Sequence, residues 1–209
     1  MSIKDNLLKI KDSIPSGVTL VAVSKFHSSE EVIQAIEAGQ RVFGENRVQE
    51  AYSKWPEIKK LYPDIKLHLI GALQTNKVAE AVSLFDVIES VDRPKLVNCL
   101  IKEMHKQNRP LPCLIQVNIG REPQKSGVLP EEVDDFIKYC RDKKLIIKGL
   151  MCIPPSLDSP EPYFAEMQKI TQKYNFSVLS MGMSGDFKTA TNYGATHVRV
   201  GTAIFGKRQ

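Results

Sequence analysis

A lysine at the end of an apolar run is the first residue of this chain that could do chemistry. Residues 18–25 have the composition of a buried strand, and the run ends at the amine of Lys25. A partly desolvated lysine can lose its proton, and a neutral amine can condense with an aldehyde to form a Schiff base. We therefore predict that Lys25 binds a carbonyl compound. The alternative is a lysine whose stem lies along the rim of the fold while its ammonium stays in water.

Small residues and hydroxyls cluster in two later stretches, each following an apolar run. The first leads into a short helical pattern, so its backbone amides would lie at a helix amino terminus, where a phosphate is favoured. In the second, a glycine and a hydroxyl follow a cation. The residues concerned are Ser180, Met181, Gly182, Ser184 and Gly185 in the first stretch and Arg199, Gly201 and Thr202 in the second. An ordinary loop is the alternative for either stretch taken singly.

Short β-branched runs alternate with helical patterns eight times along the 209 residues. Such ordered alternation predicts an α/β fold with a parallel sheet covered by helices. Eight strands favour a closed (β/α)8 or TIM barrel over a doubly wound open sheet, which more often has fewer strands. The predicted strands are residues 19–24, 41–44, 67–71, 87–91, 113–119, 147–153, 177–181 and 197–201.

The length fits one domain, so we expect residues 1–209 to form a single barrel domain. After the eighth strand only residues 202–209 remain, which are too few for a full outer helix. Residues 2–13 carry an amphipathic helical pattern. We expect this extra amino-terminal helix to fill the gap.

In such a barrel the carboxyl ends of all the strands face one mouth, so Lys25 and both small-residue stretches would meet there. Phosphate sites in this fold are often built from the loops after strands seven and eight. An amine opposite a phosphate cradle suits pyridoxal 5′-phosphate, and a sugar phosphate bound by an aldolase-type amine is a weaker alternative. The chain has no P-loop motif and no G-x-G-x-x-G after its first strand, which disfavours nucleotide and nicotinamide sites.

Composition restricts the function further. The formal charge of +5 is spread along the chain, and no arginine–aromatic interleaving or basic tail indicates nucleic-acid binding. The amino terminus lacks the apolar core of a signal peptide, and no run approaches the roughly 18 apolar residues that span a bilayer. We therefore expect a cytoplasmic protein that does not bind membranes. The four cysteines are widely spaced without a C-x-x-C pair, which predicts buried thiols and no metal site.

Several motifs, in order along the chain, closely resemble the pyridoxal phosphate homeostasis proteins, historically called the proline synthetase co-transcribed family. The segments are AVSK (22–25), FGENRVQE (43–50), HLIGALQTNK (68–77), QVNI (116–119), KSG (125–127), GLM (149–151), SMGMSGD (180–186) and VRVGTAIFG (198–206). The sequence is also distantly similar to the amino-terminal barrel of alanine racemase, a pyridoxal phosphate enzyme of fold type III. The lysine and an R-x-G motif carry most of that second similarity.

The resemblance implies a role for each matching residue. Lys25 corresponds to the Schiff-base lysine, and Ser184, Gly201 and Thr202, with the amides of residues 182–185, correspond to the phosphate site. Arg199 falls where racemase-like barrels have an arginine against the pyridine nitrogen. A guanidinium donates to that nitrogen without protonating it, so the ring is a weaker electron sink. The residues expected along the ring face or its approach are Asn46, His68, Asn118 and Met151.

Two of these ring-lining assignments have structural alternatives. His68 lies within an apolar strand and could be a hydrogen-bonded histidine of the barrel core rather than a ligand contact. Asn46 could instead cap the helix that begins near Arg47.

The resemblance implies a protein of pyridoxal phosphate homeostasis, which binds, buffers and delivers the cofactor to apo-enzymes without a turnover of its own. The alternative is an amino-acid racemase or decarboxylase. Racemisation needs a proton acceptor on each face of the Cα, and alanine racemase takes its second one, a tyrosine, from an additional β domain. This chain is expected to end with its barrel, so we prefer the carrier. Because that β domain also forms the racemase dimer, we expect a monomer.

Overall fold

Eight parallel strands form a closed barrel in the computed structural model, which describes residues 2–206. Neighbours in sequence are neighbours in the barrel, and the first strand closes it against the eighth, with Val21 beside Arg199. The strands are β1 Thr19–Val23, β2 Val42–Glu45, β3 Lys66–Leu69, β4 Val87–Val91, β5 Cys113–Val117, β6 Ile147–Cys152, β7 Val178–Ser180 and β8 His197–Val200. The predicted α/β barrel is confirmed, and each predicted strand overlaps an observed one.

Nine α-helices accompany the strands in the described part of the chain. They are α1 Ile3–Asp12, α2 Ser29–Glu37, α3 Val48–Leu61, α4 Val78–Leu84, α5 Pro94–Lys106, α6 Val133–Asp142, α7 Glu161–Lys173, α8 Phe187–Asn192 and α9 Thr202–Phe205. A capping box marks the start of α2: the Ser28 hydroxyl accepts the Glu31 N–H and the Glu31 carboxylate accepts the Ser28 N–H. Between residues 2 and 206, no helix combines the length and the apolar character needed to cross a bilayer.

The amino-terminal helix α1 completes the outer layer beside the end of the barrel. Helix α9 has only 4 residues, and α1 packs against both α9 and α2. The Asn6 side chain donates a hydrogen bond to the carbonyl of Ile204 at 3.0 Å, which ties the two ends of the described chain together. The extra helix predicted from the sequence therefore occupies the expected gap.

Apolar side chains fill the layer between the barrel and the helices. Phe43 of β2 contacts Trp55 of α3 with ring centroids 5.0 Å apart, and both side chains are fully buried. Phe85 and Phe164 belong to the same buried cluster. This layer holds each strand in register, so the loops at the carboxyl ends of the strands have a rigid base.

The cysteines are free thiols. Burial raises the pKa of Cys140 and of Cys152 to about 12 and also raises that of Cys113, so none of the three is a nucleophile near neutral pH. Cys99 is only half-buried, which differs from the prediction, because it lies at the edge of the core-facing side of α5. In the described residues no cluster of His, Cys, Asp or Glu could hold a metal ion.

Candidate ligand site at the barrel mouth

A cavity of about 290 Å³ opens at the carboxyl ends of the strands. It brings together these predicted residues: Lys25, Asn46, Ser184, Gly185, Arg199, Gly201 and Thr202. The remaining wall is apolar and consists of Val23, Ile70, Ile153 and Met183. Polar groups at two positions on the rim and an apolar wall between them are the usual features of a small-molecule site.

Lys25 enters this cavity from a tight turn that follows β1. The N–H of His27 donates to the carbonyl of Ser24 at 3.2 Å, which closes the turn around Lys25 and Phe26. Lys25 is only partly buried. The side chain that carries the predicted carbonyl chemistry therefore starts from a hydrogen-bonded backbone.

The loop after β7 forms another part of the rim, two strands from β1. The N–H of Met183 donates to the Asp186 carboxylate at 2.6 Å, and the N–H of Asp186 donates back to the Met183 carbonyl at 3.1 Å. Among the described residues, the amides of Ser184 and Gly185 and the hydroxyls of Ser184 and Thr202 have no hydrogen-bond partner. Amides and hydroxyls held in this way can bind a phosphate.

Arg199 forms the floor of the cavity and is fixed by residues of β7 and β6. Its Nη1 donates to Oγ of Ser180 at 2.7 Å, and its Nη2 donates to the carbonyl of Cys152 at 2.7 Å. The residue is 4% exposed. A guanidinium held by two short bonds keeps one orientation towards any ligand above it.

A buried polar network lies beneath Arg199 and involves two of the predicted contacts. Ser180 donates to Oε2 of Glu89 at 2.6 Å, and Nδ1 of His68 lies 2.6 Å from Oε1 of the same carboxylate. Because β4 and β7 are not adjacent, the Ser180–Glu89 bond crosses the barrel interior. Ser180 and His68 thus lie one layer below the mouth and do not line the cavity, since their strand positions direct them into the barrel.

The pKa of Glu89 reflects two opposing effects. Burial alone would raise it, but the hydrogen bond and charge of His68, the charge of Arg199 and the bond from Ser180 together lower it to about 2. Glu89 is therefore an ionised carboxylate inside the barrel. It supports Arg199 through Ser180.

Four other predicted residues do not line the cavity. Met151 is fully buried in β6 beside Ser180. The Asn118 side chain bridges the loop after β5, accepting from the Glu122 N–H at 3.1 Å and donating to its carbonyl at 2.8 Å. These contacts explain why both residues serve the fold of the mouth rather than its surface.

The other two of these residues, Met181 and Gly182, follow β7. The N–H of Met181 is bonded to the carbonyl of His197 at 3.1 Å, and its side chain lies in the apolar cluster, so neither group faces the cavity. Gly182 has φ +90°, and a Cβ there would lie 2.6 Å from Cβ of Ala190. Because glycine has no side chain, the backbone can turn here from β7 into the rim loop, residues 181–186.

Glu89 was missed by the sequence analysis, as was the apolar wall of the cavity. A signal for Glu89 exists: Glu89 and Ser90 interrupt the otherwise apolar run of β4, and a charge within a buried strand indicates a paired group. Its partners come from β3 and β7, so no local pattern could have identified them.

The chain is similar to known proteins in both sequence and fold. Residues 1–209 match the family described as alanine racemase, N-terminal domain. The pyridoxal phosphate homeostasis protein of Vibrio alginolyticus is 40% identical over 205 residues, which is 93% of this chain and 88% of that protein.

Two solved structures extend the comparison. PipY of Synechococcus elongatus PCC7942, solved with pyridoxal phosphate bound, is 36% identical with a TM-score of 0.89, covering 98% of this chain and 100% of that one. An alanine racemase from E. faecalis has a TM-score of 0.73 at 17% identity, covering 98% of this chain and 57% of that one, and shares the fold alone. The Vibrio and Synechococcus relatives are 40% and 36% identical to this chain and match it over almost its whole length. The chain therefore belongs to the pyridoxal phosphate homeostasis protein family.

Proposed function

We propose that this protein binds pyridoxal 5′-phosphate as a Schiff base on Lys25 and buffers or delivers it without a turnover of its own. One observation carries the proposal: Lys25 lines the same mouth cavity as Ser184 and Thr202. The cofactor has an aldehyde and a phosphate on one small ring, so it needs an amine and an anion site on one rim. The family name and the cofactor-bound PipY relative support the same ligand.

The residues of the cavity fit the chemical groups of the cofactor. The unpartnered amides and hydroxyls at Ser184, Gly185 and Thr202 suit the phosphate, within the described chain. The apolar side chains of Val23 and Ile70 suit a ring face. Arg199 suits the pyridine nitrogen as a donor that keeps its own proton. When bound, the cofactor supplies an electrophilic aldehyde on an electron-withdrawing ring.

The composition of the cavity wall argues against racemase activity. Its titratable residues, in the part of the chain described, are Lys25 and Arg199. Racemisation needs a second proton acceptor facing the lysine, and a guanidinium does not accept protons near neutral pH. No described tyrosine lines the cavity. We therefore favour binding and transfer over turnover.

The exposure of the rim supports exchange of the ligand with solvent or a recipient. Gly185 and Thr202 are exposed, while Lys25 is partly buried.

We also propose that apo-enzymes receive the cofactor and that the protein works as a cytoplasmic monomer. Transfer is measured by mixing the loaded protein with an apo-enzyme and following the recovered activity, with free cofactor as the comparison. Light scattering on the loaded protein measures the oligomeric state.

Intact mass after borohydride reduction tests the ligand and its attachment together. The wild type mixed with pyridoxal 5′-phosphate should gain one reduced adduct, and Lys25→Ala should gain none. Lys188→Ala is the matched control, because Lys188 is an exposed lysine on α8 beside the rim loop, and it should keep the adduct. An adduct retained by Lys25→Ala would contradict the assignment of the amine.

A panel of amino acids separates the carrier from an enzyme. The loaded protein is incubated with L- and D-amino acids, and the stereochemistry and released carbon dioxide are measured. The carrier proposal expects neither scrambling nor decarboxylation above the rate of free cofactor. Either reaction at a higher rate, lost in Lys25→Ala, would favour the racemase or decarboxylase.

A further inference from the structure

The backbone turn that carries Lys25 has an unusual conformation. In the turn of residues 24–27, Lys25 occupies the second position and Phe26 the third, and Phe26 has φ +66°. A positive φ at the third position is typical of a type II turn, which normally has glycine or asparagine there. An aromatic residue seldom adopts this conformation unless its surroundings hold it. Phe26 is 55% exposed, so its ring is not part of the hydrophobic core.

Hydrogen bonds from α3 hold the turn. The N–H of Phe26 donates a hydrogen bond to Oε1 of Glu50, in the first turn of that helix. One turn further along, Nζ of Lys54 donates to the carbonyl of Ser24 at 2.8 Å and to that of His27 at 3.1 Å. The turn is therefore held at both ends by one ammonium and at its central peptide by one carboxylate.

The central peptide is the part that distinguishes the two common turn types. Types I and II differ by a flip of the peptide between the second and third residues, which here joins Lys25 to Phe26. With a non-glycine residue in the third position, type I is normally favoured because φ is then negative. The Glu50 carboxylate accepts the N–H of this same peptide and so selects the flipped orientation. The flip changes ψ of Lys25, and the rotamers that a side chain can adopt depend on the backbone angles of its residue, so the turn type affects where the Lys25 amine lies.

We propose that Glu50 is a positioning residue for Lys25: by accepting the Phe26 N–H, it holds the turn in the conformation that directs the lysine into the mouth cavity. The inference rests on the proposed function, because it concerns how readily the amine forms a Schiff base. Glu50 does not line the mouth cavity, so it acts through the backbone.

Replacing Glu50 by a residue without an acceptor tests the proposal. In Glu50→Met, reduction by borohydride should trap the Lys25 adduct about tenfold more slowly at a fixed low cofactor concentration, as expected for loss of a hydrogen bond to a charged group. Pyridoxamine 5′-phosphate has no aldehyde and should bind Glu50→Met and the wild type equally, since the phosphate rim is intact. Glu50→Gln keeps an acceptor oxygen and should retain most of the adduct rate.

A second variant separates positioning from a general structural effect. Glycine adopts positive φ without strain, so Phe26→Gly combined with Glu50→Met should restore adduct formation towards the wild-type rate. Glu57→Met is the matched control, because it removes an exposed carboxylate from the same helix. It should leave the adduct rate and the affinity for pyridoxamine 5′-phosphate unchanged.

Two results would overturn the inference. One is an adduct rate in Glu50→Met equal to that of the wild type. The other is a parallel loss of pyridoxamine 5′-phosphate affinity in that variant, which would indicate general damage to the site. If the wild type itself forms no adduct on Lys25, the proposed function fails first, and the two failures are thus distinguishable.

Discussion

Nη1 of Arg199 donates to the hydroxyl of Ser180 at 2.7 Å, so the cation at the floor of the cavity is held by a side chain of the neighbouring strand. The same hydroxyl donates its own proton to Glu89 at 2.6 Å. Ser180 therefore connects a buried cation to a buried carboxylate. Because all three residues are buried, loss of the connecting hydroxyl leaves polar groups that water cannot reach.

Ser180→Ala should lower the free energy of unfolding by about 1–3 kcal/mol, the usual cost of leaving buried hydrogen-bonding groups unsatisfied. Urea unfolding monitored by circular dichroism measures this loss. Ser156→Ala, in the exposed loop after β6, is the matched control and should stay within about 0.5 kcal/mol of the wild type. Equal effects of the two substitutions would contradict the role of the Ser180 hydroxyl.

The lowered pKa of Glu89 makes stability depend on acid pH. Its pKa falls from the ordinary 4.5 to about 2 in the folded protein. Between these pH values Glu89 is protonated in the unfolded chain and ionised in the folded protein. The contribution of Glu89 is therefore complete above about pH 4.5 and is lost as the pH falls to about 2. Within that window the slope should approach about 1.4 kcal/mol per pH unit.

Comparison with Glu89→Gln isolates this contribution from that of other carboxylates. The difference in unfolding free energy between the wild type and Glu89→Gln should shrink as the pH is lowered through the window. Glu57→Gln, exposed on α3, controls for the removal of one carboxylate. A difference that stays constant across the window would contradict the ionised state of Glu89.

The strands and the mouth could be predicted because both depend on local patterns. The run of β4, residues 87–91, is apolar except for two positions and was predicted with its observed bounds. Once a parallel barrel is expected, Lys25 and Thr202 must meet at one mouth, since both follow strand ends. The barrel topology thus brings residues that are distant in sequence together in one site.

The remaining parts depend on contacts between strands and helices that no local pattern contains. His68 and Ser180 were expected at the ligand, but the direction of each side chain follows from the tilt and stagger of the barrel, which turn both towards Glu89. The Glu50–Phe26 bond joins α3 to the turn after β1 across 24 positions. Such pairings require the coordinates of both partners.

The rim loop offers a matched pair of glycines for testing its geometry. A Cβ at Gly182 would lie 2.6 Å from Ala190 and 2.9 Å from Cα of Phe187, and its φ is +90°. Gly182→Ala should therefore cost of order 1–3 kcal/mol from the strained φ, with added steric cost, and weaken phosphate binding. At Gly185 a Cβ meets nothing within 4 Å, so Gly185→Ala should be tolerated in the fold.

Thermal unfolding and titration with pyridoxamine 5′-phosphate measure the two glycine variants. We expect Gly182→Ala to lose both stability and affinity, and Gly185→Ala to keep its stability. Equal stability of the two variants would contradict the close approach of the rim loop to α8.

The buried ion pair behind the Lys25 turn gives the last prediction. Nζ of Lys54 lies 2.8 Å from Oε1 of Glu45, and the side chains are 7% and 0% exposed. Lys54→Met leaves a buried carboxylate without its counter-charge and should cost about 3–5 kcal/mol in urea unfolding. Lys60→Met, which removes an exposed ion pair from the same helix, should change stability by less than about 1 kcal/mol.

A double variant tests whether Lys54→Met loses stability because it leaves the Glu45 carboxylate without a counter-charge. Glu45→Gln removes the charge that Lys54→Met leaves uncompensated, so the combination should be more stable than Lys54→Met alone. Trp55 and Ser24 still donate to the remaining side-chain oxygen in that variant, because both bonds end on Oε1 of residue 45. If the two substitutions were simply additive, the ion pair would contribute nothing, and Lys54 would stabilise the fold only through the carbonyls of the turn.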